Sequence, residues 1–215
     1  MSVHTTPMER SFWDARWSQN QIGFHEAKPN AHLEQHVARL GPSGVVFVPL
    51  CGKAEDLAWL AARGHRVIGV EWVDEAVRAF FSEHGLTPTQ SSDGKLKRYE
   101  AGGVTLYSGD FFALESKHLA DVTAVYDRAA LIALPPELRS KYMQHLRGLV
   151  APGTRGLLVT VEYDQTKMGG PPFSVSEQEA RAGYAPSLEL LTEQKADGAR
   201  FVELAGREKC FSVTF

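Results

Sequence analysis

The run Val45-Val-Phe-Val48 is apolar at every position. A strand with one wet face alternates apolar and polar residues, so an unbroken run requires cover on both faces, the condition of a parallel sheet between helices. The run passes through Pro49-Leu-Cys-Gly-Lys53 into a helical stretch over residues 54–63, and Gly64 suits the position just past that helix. The alternation then repeats. A strand over residues 66–70 ends at Glu71, a helix covers residues 74–84, and strands follow at 104–107 and 121–126. Pro136 opens a helix reaching residue 150, ahead of a strand over 155–161. Residues 187–191 and 209–215 offer two more strands, paired in part antiparallel. This pattern predicts an open α/β sheet of seven strands, mostly parallel, with helices on both faces and right-handed crossovers. Residues 86–101 are polar and turn-rich, an excursion with the makings of a hairpin. Upstream, a helix over residues 7–19, with Pro7 in its first turn, brings Phe12, Trp13 and Trp17 close to one face. A loop from Ile22 to Pro29 leads to a short helix over residues 30–40.

The chain has 215 residues, enough for one substantial core, so one domain is expected: an N-terminal helical segment over residues 1–40 and an α/β core over 45–215. The net charge of −3 and the lack of a dense basic patch speak against a nucleic-acid partner. The longest apolar runs are strand-sized, which predicts no membrane span. The first ten residues lack a basic start followed by an apolar block, so a cytoplasmic location is expected. Cys51 and Cys210 make no disulfide framework. His32-Leu-Glu-Gln-His36 sets two histidines on one helix face, but glutamate stands third rather than second, unlike the zinc-protease pattern. These are expected to be surface or capping histidines, with no metal. Asp14–Arg16 and Glu55–Asp56 read as solvated helix charges, and Cys51 as a small packing residue.

In a sheet of this kind ligands sit beyond the carboxyl ends of the strands, near the switch in strand order. Three candidates fall there: the Pro49–Lys53 loop, Glu71 nineteen residues after Gly52, and Asp110 in Ser108-Gly-Asp-Phe-Phe112. An acidic residue at that distance accepts both hydroxyls of a ribose. A diphosphate would need several free backbone N–H groups, which is why glycines gather around it. One glycine beside a stiffening proline makes a poor nest. A nucleoside carrying an amino acid fits better, and S-adenosylmethionine is such a ligand. Asp110, with the apolar Phe111 and Phe112 beside it, suits the adenine end.

The ordered set Trp13-Asp-Ala-Arg-Trp17, Ile22-Gly-Phe-His25, Phe47-Val-Pro-Leu-Cys-Gly-Lys53, Arg63-Gly-His-Arg-Val-Ile-Gly-Val-Glu71, Tyr126-Asp-Arg-Ala-Ala-Leu131, Tyr163-Asp and Gly170-Pro-Pro-Phe173 resembles the thiopurine S-methyltransferase family. The resemblance implies a Rossmann-like class I S-adenosylmethionine-dependent methyltransferase, cytoplasmic, working in detoxification on a small thiol acceptor. It implies cofactor contacts at Trp13, Trp17, Leu50, Gly52, Glu71, Asp110, Phe111 and Arg128, and acceptor contacts at Phe24, Arg128 and Phe173. No catalytic residue is certain; Arg128 is the candidate for positioning the acceptor, and an ion pair with a nearby carboxylate is its alternative role. The N-terminal helix is expected to close over the cofactor as a lid. The loop over residues 162–173 lies at the same edge, with Met168 and Phe173 as apolar contacts for the acceptor. Two other functions stay open at this level: a methyltransferase for halide, selenium or tellurium species, and a non-catalytic nucleoside-binding module. A monomer is expected.

Overall fold

The computed structural model describes residues 9–184, 187–197 and 199–215. One sheet runs through the chain. Its strands are β1 (Val45–Pro49), β2 (Arg66–Glu71), β3 (Thr89–Asp93), β4 (Leu96–Ala101), β5 (Val104–Ser108), β6 (Val122–Arg128), β7 (Arg155–Glu162), β8 (Ser187–Lys195) and β9 (Arg207–Thr214). The helices are α1 (Arg10–Ser18), α2 (Ala31–His36), α3 (Glu55–Ala62), α4 (Asp74–Glu83), α5 (Pro136–Leu149), α6 (Glu177–Tyr184) and α7 (Ala199–Glu203). Pro7, expected in the first turn of α1, lies outside the described residues.

The strand order is β3-β4-β5-β2-β1-β6-β7-β9-β8. β5, β2, β1, β6 and β7 pair in parallel. The hairpin β3–β4 joins one side antiparallel, and β9 and β8 join the other antiparallel. The expected seven mostly parallel strands are therefore a mixed sheet of nine. The surplus is the 86–101 excursion, which folds as a hairpin and pairs with β5. Its outer strand β3 is polar because it forms the sheet's rim and is exposed along nearly its whole length; charged and polar side chains there discourage pairing with another sheet.

The apolar run of β1 faces two cores. Val45 and Phe47 join Ile68, Val70, Phe111, and Tyr142 and Leu146 of α5 on one face. Val46 and Val48 join Val67, Leu57 and Leu60 of α3, and Phe80 and Phe81 of α4 on the other. Alternating side chains on a strand point to opposite faces, so each residue of the run has a core of its own. From β1 the chain moves outward through β2 to β5, then returns to β6 on β1's other side. The strand order reverses at β1, and the crevice at its carboxyl end is the place such sheets use for ligands.

Phe47 is fully buried at the centre of this arrangement. Phe47→Ala is expected to lower stability by about 3–5 kcal/mol through lost burial and the cavity left behind, read as a shift of the urea midpoint at an unchanged m-value.

Candidate active site

The loop after β1 is held from within. Cys51 N–H donates to Val70 O at 3.0 Å, and Ala54 N–H donates to Cys51 O at 3.1 Å. Gly52 N–H donates to Glu71 Oε2 at 2.9 Å, while Val73 N–H donates to Oε1 at 2.8 Å. One buried carboxylate thus clasps the β1 loop to the turn that starts α4. Burial pushes the Glu71 carboxyl pKa up, opposed by the backbone donors Val73, Gly52 and Trp72. With the Cys51 and Gly52 N–H groups used internally, the loop makes a poor nest for a diphosphate. Carboxylate oxygens have about four lone-pair sites between them, so the backbone donors Gly52, Val73 and Trp72 leave capacity for a further donor.

Leu50 and Gly52 both take left-handed backbone, at φ +46° and +53°. At Gly52 the absent side chain also matters: a Cβ there would stand 3.2 Å from Trp17 Cζ2. The Trp17 indole lies against the loop and packs with Val73 and Ala76, and Trp13 and Ile22 pack beside them. Phe24 meets both tryptophans edge-on, with centroids 6.0 Å from Trp13 and 5.8 Å from Trp17. Cys51 is buried, and its Sγ would stand 2.7 Å from a Cβ at Gly69. Burial drives its thiol pKa well up, with the Glu71 carboxylate adding to the effect. It is a packing residue, since a thiol held protonated is no nucleophile.

Asp110 stands one residue after Gly109, whose N–H donates to Glu71 O at 2.9 Å, so the β5 loop joins the same edge. The Asp110 carboxylate accepts from Phe112 N–H at 2.9 Å and caps a short turn. Phe111 is buried, its ring 4.8 Å from that of Tyr142 and 5.1 Å from that of His145. Arg128 ends β6 and pairs with Glu26 from the Ile22–Pro29 loop, so the alternative role weighed for this arginine is realised in the structure. Phe173 is buried; its N–H donates to Ile132 O at 2.6 Å, and its ring lies 5.8 Å from the Arg139 guanidinium carbon. Glu71, Gly52, Trp17, Trp13 and Phe24 therefore form one connected group, and Leu50 packs on the core that holds Phe111. Asp110, Phe111 and Arg128 stand at adjoining strand ends, and Phe173 belongs to a separate group with Ile132 and Arg139.

Two expectations are corrected. Asp56 is buried rather than solvated: it accepts from Asn30 N–H at 2.7 Å and from the Tyr126 hydroxyl at 3.3 Å. It sits in the first turn of α3, where a carboxylate also meets the positive end of the helix dipole. His32 is likewise not a surface residue; at 1% exposure it packs under the sheet. Helix patterning assigned both positions by charge and spacing alone, and neither reveals that α2 lies on the sheet. Glu26 and the anchoring role of Asp127 are not among the expected site features. For Asp127 a signal existed, since an acid directly following the apolar core strand Val122–Tyr126 must find partners there.

The fold defines a class: α/β proteins of the S-adenosylmethionine-dependent methyltransferase type, with helices flanking a mixed sheet. In structure the chain is similar to a 1,6-didemethyltoxoflavin-N1-methyltransferase from Burkholderia thailandensis, with a TM-score of 0.66, 17% identity, and coverage of 100% of this chain and 92% of that one. In sequence it is 51% identical over 180 residues to a thiopurine S-methyltransferase of Pseudomonas putida, covering 83% of each chain. It is also 51% identical over 176 residues to one from Azotobacter vinelandii, covering 81% of each. The thiopurine S-methyltransferase family matches residues 8–209, and the chain belongs to that family.

Asp127, one residue before Arg128, anchors two helices to the strand that carries Arg128. Its Oδ2 accepts from the Tyr142 hydroxyl at 2.8 Å and the Tyr184 hydroxyl at 2.7 Å, tying α5 and α6 to β6. Burial pushes its pKa above the usual carboxylate range, opposed by Tyr184, Tyr142 and the Leu131 N–H. The native state therefore binds this proton more tightly than the unfolded chain. The contribution of Asp127 to stability is full below about pH 3.9, the unfolded value, and is lost as pH rises through the folded one. Tyr184→Phe removes a donor to the ionised form, so a loss of about 1.5–3 kcal/mol is expected at pH 7. The deficit should shrink as pH falls through the raised pKa of Asp127; thermal unfolding at several pH values reads it.

Proposed function

We propose that this chain transfers the methyl group of S-adenosylmethionine to the sulfur of a small aromatic or heterocyclic thiol. The clasp carries the reading: Glu71 uses the loop's Gly52 N–H internally and leaves an edge fit for a nucleoside whose tail bears no phosphate. On this reading Glu71 receives the ribose hydroxyls, and Leu50, Gly52, Trp13 and Trp17 line the amino-acid end. Asp110 and Phe111 serve the adenine, and Arg128 lies along the cofactor. Phe24, Arg128 and Phe173 face the acceptor, with Met168 on the neighbouring loop. Bound S-adenosylmethionine would supply an electrophilic methyl group: the acceptor sulfur would bond to that carbon from the side opposite the sulfonium as the carbon–sulfonium bond breaks, leaving S-adenosylhomocysteine.

The residues then have three tasks. The first is alignment, which contributes about 7–11 kcal/mol in well-oriented systems. The second is exclusion of water: α1, with Trp13 and Trp17, acts as a lid, and aromatic faces near a sulfonium add cation–π attraction. A drier site also favours a reaction in which thiolate and sulfonium cancel charge. The third is acceptor positioning by Arg128. Its partner Glu26 is a counter-ion that an anionic thiol must displace. A thiopurine-type thiol is acidic near neutral pH, so no dedicated base is required. Residues 1–40 form the lid segment and residues 45–215 the catalytic core of one domain. The net charge of −3 supports the absence of a nucleic-acid partner. No helix among the described residues is long and apolar enough to cross a membrane. We take the working form as a cytoplasmic monomer.

Calorimetry with S-adenosylmethionine, followed by product analysis on a thiopurine, selenite and iodide, tests the reading. Binding with a methylated thiol as the best product is expected; binding without any methylated product would reduce the chain to a nucleoside-binding module. Trp13→Ala should weaken cofactor binding and slow turnover, and unchanged values for both would remove the lid. Arg128→Lys keeps the charge but loses the planar fork, so kcat/KM for the thiol is expected to fall by about tenfold, about 1.4 kcal/mol. Unaltered kinetics in that variant would deny Arg128 a positioning role.

A further inference from the structure

α2 sets His32 and His36 one turn apart on one face, as residues four apart on a helix are. Cys210 of β9 comes up beneath them. Their donor atoms, one from each side chain, all lie within 4.8 Å of one another. His32 and Cys210 are buried, and His36 is half-buried. We propose that His32, His36 and Cys210 form a binding site for a divalent transition metal of borderline softness, with zinc as its probe, joining α2 to β9.

Three features beyond the cluster support this. First, Glu208 Oε2 lies 3.1 Å from His32 Nε2. Glu208 and Cys210 are two apart on β9 and so share a face. A carboxylate on one ring nitrogen fixes the tautomer and leaves the other nitrogen's lone pair for a metal, the usual outer arrangement around a histidine ligand. Second, Thr192 Oγ1 stands 3.0 Å from His32 Nδ1 and 3.4 Å from His36 Nε2. The two nitrogens thus already converge on one small polar centre, and Thr192 pairs with Cys210 across the β8–β9 ladder. Third, two imidazoles and a thiol suit zinc, cobalt or copper, whereas magnesium and calcium take oxygen ligands. Zinc binds nitrogen at about 2.0–2.1 Å and sulfur at about 2.3 Å, so the side chains draw inward on binding. The Zn–S bond forms as the thiol proton leaves to water. Water takes the fourth position on the open, His36 side.

The site joins opposite ends of the chain and is independent of the methyl-transfer reading. The full chain would be incubated with zinc, dialysed against a weak chelator and analysed for metal; cobalt would be substituted in parallel. One zinc per chain is expected, with a thiolate-to-cobalt charge-transfer band in the near ultraviolet and a rise in Tm with zinc. Cys210→Ser should abolish the band, and His36→Gln should weaken zinc retention by at least tenfold. His36 is half-buried, so His36→Gln carries the test if Cys210→Ser fails to fold. Absence of the cobalt band in folded protein overturns the proposal and leaves a hydrogen-bonded network around Thr192. Zinc retained equally by the wild type and His36→Gln also overturns it, since that metal sits on other side chains.

Discussion

The Glu71 carboxylate decides how the functional edge is built. It is an ionisable group in a buried place, where an unpaired charge costs several kcal/mol. It is tolerated because two strand-end loops turn their N–H groups toward it. The dependence is mutual. Without those donors the carboxylate cannot stay, and without the carboxylate the β1 loop, with its two left-handed residues, loses its backbone tie to the turn that starts α4. Trp17 then rests on the surface so formed, and Phe24 on Trp17. The aromatic cover is thus two contacts removed from a single acid.

Arg128 and Asp127 show a division of labour on one strand. Side chains of neighbouring strand residues point to opposite faces, so Asp127 turns toward the tyrosines of α5 and α6 while Arg128 turns toward Glu26. The buried acid locks the wall to its helices, and the cation beside it is held by a partly exposed loop carboxylate. A rigid backbone carrying an exchangeable partner is what a site needs if it must hold position and still release its ligand.

The parallel core was legible because double-sided burial leaves an unmistakable pattern: Val45–Val48 and the strand before Glu71 could be little else. Glu71 and Gly52 were legible through their spacing and their positions at strand ends. The rim was harder. β3 is polar along its length, and polar edge strands resemble loops in composition. α6 was overlooked although Ser176 lies three residues before Glu179, and the Ser176 hydroxyl does accept from the Glu179 N–H at 3.1 Å; that spacing is a helix-start signal. Asp56, His32 and Glu26 were illegible for one reason: each finds its partner more than 25 residues away in sequence, at Asn30, Glu208 and Arg128. Charge and local periodicity describe a residue's own helix or loop, and say nothing of what that element rests on.

The position of β9 has a consequence for the order in which the molecule assembles. β9 is made after β8 yet lies between β8 and β7, bonded to both. During synthesis β7 and β8 both emerge without a neighbour on this flank, and no pairing between them anticipates the finished sheet. β9 must insert between two strands that precede it in the chain. Until β9 forms, β7 has no partner strand on that flank, so this side of the sheet closes only after the parallel core on β7's other side has its strands.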